Sequence, residues 1–158
     1  MNRTSNIGSA LAIAFGVFIV DRVLKLAVES FMRVGESVTI VPGLLRLTYV
    51  TNPGGAFGTL PGQGVLLMAG SLLALGVVAY ILFTDRISRL TGAGAGLVLG
   101  GTVGNLFDRV VSGQVTDYLS LFYVFNAADF AIIAGVGALL TAALRGQAAG
   151  RGRGSADT

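Results

Sequence analysis

The 158-residue chain contains no cysteine and no histidine. Without cysteine there is no disulfide framework and no thiol nucleophile. Without histidine there is no Ser–His pair and no H-E-x-x-H zinc protease motif, and the usual Cys and His zinc ligands are missing too. Acid–base chemistry near neutral pH is left to carboxylates, Lys, Tyr or water. Charge is also scarce, at 12% of residues, where a soluble domain carries roughly 25%. Against this, 53% of residues are hydrophobic and the mean hydropathy is +0.78. The composition is that of a membrane protein. The net charge of +3 is small and no basic patch is interleaved with aromatics, so no nucleic-acid partner is expected.

Four apolar segments are present. The first is uninterrupted from Ile7 to Val20, 14 residues, which is short for a bilayer core that needs about 20. It must continue through "DRVLKLAVESFM", placing Asp21 and Lys25 within or near the end of a span over 7–30. The others are expected over 64–84, 91–111 and 127–144. A basic start followed by an apolar core also has the look of a signal peptide. No small-x-small cleavage site follows, so a retained first helix is expected. The predicted fold class is a membrane α-helical, four-helix transmembrane bundle.

Lys and Arg near span ends set orientation. Arg3, Arg86, Arg89, Arg145, Arg151 and Arg153 fall on one side of a four-span chain. The other side has Arg33 and Arg46 in a long loop, and no Lys or Arg from Ser112 to Asn126. Both termini are therefore expected in the cytoplasm, with outer loops over 31–63 and 112–126. The first outer loop is too long for a simple connector. Its "SVTIV", "PG" and "LLRLTYVT" segments read as a small β-hairpin or cradle, followed by the glycine-rich "NPGGAFGTLPGQG". Residues 146–158 read as a disordered cytoplasmic tail after a single four-span unit over 1–145.

In the third span Gly92, Gly96, Gly100 and Gly104 recur every four residues, and Gly101 adds to the same narrow surface. Such a stripe lets a neighbouring helix pack closely. Polar residues inside spans are more informative, because an Asp at the centre of one costs about 2.5–3.5 kcal/mol. Asp21 and Lys25, at i and i+4, form a neutralising ion pair, a brace for an adjacent polar site, or both. Asn105, Asp108 and Arg109 cluster near the outer end of the third span. Asp108 and Arg109 again allow a structural pair, while the Arg109 fork suits a carbonyl, carboxylate or head group.

Asn52 opens "NPGGAFG", which as a local signal reads first as a turn. The alternative is an amide pointed at substrate, with Gly54 and its neighbours allowing close approach. Asn126 and Asp129 fit an N-cap and N3 pair at the start of the fourth span. Asp117 has no such local explanation. Two carboxylates within about 3 Å cannot both ionise easily. One takes a proton from water while the other, protonated, donates to a carbonyl oxygen. This chemistry needs no metal and no cofactor.

Taken in order, "DRVLK", "TNPGGAFG", "GGTVGNLFDR", "GQVTDYL" and "FNAAD" resemble lipoprotein signal peptidase (signal peptidase II), over about residues 7–145. The resemblance implies four transmembrane helices with an outward-facing β-cradle in the bacterial cytoplasmic (inner) membrane. It implies an aspartyl endopeptidase that cleaves prolipoproteins before a diacylglyceryl-modified cysteine. Asp117 and Asp129 match the catalytic pair. Asn52, Gly54, Asn105, Arg109 and Asn126 match the substrate-binding positions, and Asp21, Lys25 and Asp108 the supporting ones. Membrane lipids and globomycin-type inhibitors are the further partners it implies. Two positions depart from the family pattern. Gly55 stands in the loop where the family often has "GAAF", and Tyr118 stands where Phe is common. The competing reading is a small proton-coupled transporter, which spans with Asp, Lys and Arg also permit. Carriers, however, usually hold such charges near the midplane.

Overall fold

The computed structural model describes residues 3–54, 64–83 and 87–154, with side chains over 5–147 of those ranges. Helices α1 (Arg3–Phe31), α2 (Gly64–Phe83), α3 (Arg89–Ser112) and α4 (Ala127–Gly154) form a four-helix transmembrane bundle. Three helices, α2, α3 and α4 up to Gln147, are long and apolar enough to cross a membrane. In α1 the same composition is interrupted by Asp21, Arg22, Lys25 and Glu29. Its 29 residues still reach about 43 Å at 1.5 Å per residue, more than a bilayer core. Phe15 on α1, Leu72 and Leu73 on α2, and Ile133 and Leu140 on α4 are exposed, as lipid-facing side chains are.

Helix α3 is the central element and packs against each of the other three. The glycine stripe explains how. A Cβ at Gly96 would stand 2.5 Å from the Ala10 carbonyl oxygen, and one at Gly100 would stand 2.5 Å from that of Ala14. No side chain fits there, so the α1 backbone lies directly on α3. Gly92 and Gly104 continue this face toward Asn6 and Asp21, whereas Gly101 faces Ala128 on α4. Helix α3 is closed by a Ser88 N-cap, whose side chain accepts from the Thr91 N–H, and by Gly113 at φ 75°. Helix α2 meets the bundle through Val78 and Leu82, which join Ala10, Ile87, Ala95 and Val98 in an apolar core.

A four-stranded antiparallel sheet lies beyond the ends of α1 and α3, in the order β1 (Ser37–Val41), β2 (Leu45–Asn52), β3 (Val115–Ser120), β4 (Val124–Phe125). The β1–β2 hairpin turns at Gly43, φ 75°. This is the expected cradle, but it is larger than the sequence suggested. Residues 112–126, expected as a loop, supply two of its four strands. The alternation in "VTDYLS" is hidden because Val115, Thr116, Asp117 and Tyr118 are all buried, so both faces of β3 are covered. Helix α4 likewise passes Leu144 and continues to Gly154. Residues 146–154 are therefore helical where a disordered tail was expected. Alanines and the lack of proline let the helix propagate through weak helix formers. Gly55, Thr84, Arg86 and the side chains of Arg3, Arg151 and Arg153 lie outside the described residues.

Candidate active site

Strand pairing brings the first two groups together. Val50 lies opposite Asp117 and Asn52 opposite Val115, so Asn52 and Asp117 are diagonal neighbours on one face. The Asn52 amide donates to Asp117 Oδ2 at 2.8 Å, while its own oxygen accepts from the Gly54 N–H at 2.8 Å. The turn reading of Asn52 is realised, and its amide meets Asp117 where the alternative had it pointed at substrate.

The start of α4 supplies the second carboxylate. The Asp129 N–H donates to Asn126 Oδ1 at 2.9 Å, and the Asn126 N–H reaches Asp129 Oδ2 at 3.4 Å. These reciprocal contacts are the expected cap. A helix leaves its first N–H groups without internal partners, and here each is met by a different part of the chain. Ala127 donates to the Tyr118 hydroxyl of β3 at 3.2 Å, Ala128 to Asp21 Oδ1 of α1 at 3.1 Å, and Asp129 to the cap itself. The first turn of α4 is tethered to strand and helix at once. An anion at this end also suits the helix dipole.

Asn126, fully buried, ties the two carboxylates together. Its amide donates to Asp117 Oδ1 at 2.6 Å and its backbone contacts Asp129. Asn105 of α3 donates to Asp129 Oδ1 at 2.7 Å. Burial pushes the Asp117 carboxyl up to about 6, and the nearby negative charge of Asp129 adds to this, against hydrogen bonds from Asn52 and Asn126. Burial also pushes the Tyr118 phenol up to about 12. Tyr118 therefore stays neutral and serves as an acceptor for α4. It is buried, with its hydroxyl under the first turn of α4.

Behind the carboxylates lies a neutral charge cluster. The Lys25 ammonium sits 2.8 Å from Asp21 Oδ2 and 2.7 Å from Asp108 Oδ2, with no exposed side-chain surface on Lys25 or Asp21. Arg22, absent from the expected set, pairs with Asp108 and lies over the Phe107 ring. The suggested Asp108–Arg109 pair is not formed. Neighbouring helix positions diverge by about 100°, so Asp108 turns to α1. Arg109 turns the other way and donates to the Gly54 carbonyl at 3.1 Å and the Asn105 carbonyl at 3.3 Å. Thr116 of β3 donates to Glu29 at 2.6 Å. Neither Arg22 nor Glu29 stood out locally. The available signal was that a charge inside a span must find a partner.

Asp129, Asn105 and Arg109 open onto a cavity of about 280 Å³ whose other walls include Leu66, Leu67, Gly70, Ala74 and Ile132. Of α2, Val78 and Leu82 are buried in the core, while Leu66, Leu67 and Gly70 line this cavity. Among the described residues no cluster of carboxylates forms a metal site.

The family model for signal peptidase (SPase) II matches residues 13–145. A lipoprotein signal peptidase of Desulfitobacterium hafniense is 42% identical, covering 78% of this chain and 85% of the relative. One from Halothermothrix orenii is 36% identical, covering 78% and 87%. A solved bacterial membrane enzyme superimposes with a TM-score of 0.82 at 28% identity, over 87% of this chain and 88% of that one. The transporter reading gives way to these matches. The chain belongs to the signal peptidase II family, proteases of the bacterial cytoplasmic membrane.

Proposed function

We propose that the protein is an aspartyl endopeptidase that removes signal peptides from diacylglyceryl-modified prolipoproteins, cutting before the lipidated cysteine. The observation that carries this is the joining of a buried carboxylate, Asp117, to a half-buried one, Asp129, through Asn126 at the edge of a cavity walled by α2, α3 and α4. The apolar wall of α2 suits acyl chains. Arg109, held by the Gly54 carbonyl, and the asparagines orient the peptide. Residues 1–145 act as one peptidase unit.

Both Asp117 oxygens accept amide hydrogens, whereas among the described residues Asp129 Oδ2 has only the 3.4 Å backbone contact. In our reading the shared proton therefore sits on Asp129. Asp117 takes a proton from water as its oxygen attacks the scissile carbonyl carbon, and Asp129 gives its proton to the carbonyl oxygen. Collapse of the tetrahedral diol breaks the C–N bond. Asp117 returns its proton to the leaving nitrogen, and Asp129 recovers one from the diol hydroxyl.

The arginine distribution supports both termini in the cytoplasm and the dyad toward the outer face. Globomycin-type inhibitors are expected to compete for the same cavity. The test is a gel-shift assay on a purified diacylglyceryl-modified precursor. Asp117→Asn and Asp129→Asn proteins that insert normally are expected to leave it uncut. Processing by either at the wild-type rate would remove that residue from the dyad.

A further inference from the structure

Every amide next to the two carboxylates is oriented by a group that can only donate. The Asn52 oxygen faces the Gly54 N–H, and the Asn126 oxygen faces the Asp129 N–H. The Asn105 oxygen faces the Lys25 ammonium at 3.0 Å and also accepts from the Asn126 amide at 3.2 Å. An ammonium has three protons and no acceptor. Those of Lys25 have three acceptors around them, Asp21, Asp108 and Asn105. The Asn105 NH₂ is therefore left to point at Asp129 Oδ1, which it reaches at 2.7 Å.

We infer that Lys25 is a positioning residue for the reaction, locking the Asn105 amide so that its NH₂, and not its oxygen, meets Asp129. This rests on the dyad reading above. It differs from a charge-balancing role, for which the Asp21 and Asp108 pairs suffice. The groups around Asp129 are Asn105, Arg109 and Asp108 of α3, Asp117 and Tyr118 of β3, and Lys25 and Asp21 of α1. The α2 residues lining the cavity carry no charge. Of these groups, Lys25 alone touches the Asn105 side-chain oxygen with a charge.

The test uses two charge-balanced variants, Lys25→Met/Asp21→Asn and Lys25→Gln/Asp21→Asn, in the full-length chain. Asp108 keeps Arg22 in both. Gln retains an amide donor for Asn105 and Met does not. Cleavage of the lipidated precursor is followed from pH 5 to 9. In the Met variant the Asn105 oxygen keeps the Asn126 amide at 3.2 Å but loses its charged donor, and the alkaline limb of the rate profile is expected at higher pH. The Gln variant is expected to bring the limb part of the way back, since both variants lose the ammonium charge. Identical profiles for Met and Gln would overturn the inference. Asn105→Leu leaves both Lys25 ion pairs in place and removes the same donor. It is expected to displace the limb in the same direction whether or not the Met variant accumulates, and an unmoved limb in Asn105→Leu would also overturn the inference. Failure of the dyad itself is told apart by activity in Asp117→Asn and Asp129→Asn.

Discussion

Replacing Asp117 by Asn separates the energetic cost of the site from its chemistry. Burial raises Asp117 to about 6 from an ordinary 3.8. In the folded protein the carboxyl thus holds its proton over a window in which the unfolded chain has lost it. Where the native state binds more protons, stability falls as pH rises. Asp117 therefore withdraws stability progressively between about pH 4 and 6, and the loss is complete above that. The interval of roughly two units corresponds to about 3 kcal/mol at 1.36 kcal/mol per unit. Asn cannot ionise, so Asp117→Asn escapes this loss. It adds a fixed cost of about 1–3 kcal/mol, because one of its atoms must face an NH₂ held by Asn52 or Asn126. That cost is independent of pH. The variant's stability relative to wild type is therefore expected to climb by about 3 kcal/mol from pH 4 to 7, while cleavage falls by at least about 10²–10⁴-fold. Unfolding in detergent micelles across that pH range reads the first quantity. A flat difference curve would refute the burial argument, whatever the activity.

Four further outcomes follow from the packing and the topology. Gly100→Ala places a methyl group against the Ala14 carbonyl and the Val17 side chain, and is expected to cost about 1–3 kcal/mol in unfolding experiments. Gly76→Ala, in open space on the exposed side of α2, is expected to gain about 0.5–1 kcal/mol. Tyr118→Phe removes the acceptor for the Ala127 N–H and is expected to lower stability by about 1–2 kcal/mol while leaving the cleavage pattern unchanged. Because the chain has no native cysteine, single replacements report orientation directly. Phe122→Cys at the exposed β3–β4 turn is expected to react with an impermeant thiol reagent added outside intact cells. Gln147→Cys is expected to react only after lysis, and the reverse pattern would invert the proposed topology.

The helical spans could be read from the sequence because lipid demands long apolar runs, and the glycine stripe because helical periodicity is local. The capping pair Asn126 and Asp129 was legible for the same reason, as its bonds join residues three apart. The absence of Cys and His had already left acid–base chemistry to carboxylates, Lys, Tyr or water. Other features depend on distant parts of the chain and needed the tertiary fold. Residues 115–120 are a strand only because β2 offers an edge, and burial on both faces erased the alternation that would have revealed it. Asp108 turned from its neighbour Arg109 to Lys25 and Arg22, because a charge in a packed bundle is settled by the facing helix. Tyr118 went under α4 because an N–H there lacked a partner. Asp117 and Asp129 are separated by a hairpin and a helix cap, and their connection through Asn126 depends on β3 being anchored to Asn52, 65 positions earlier. Local sequence determined which groups were available. Pairing across the fold decided which of them meet.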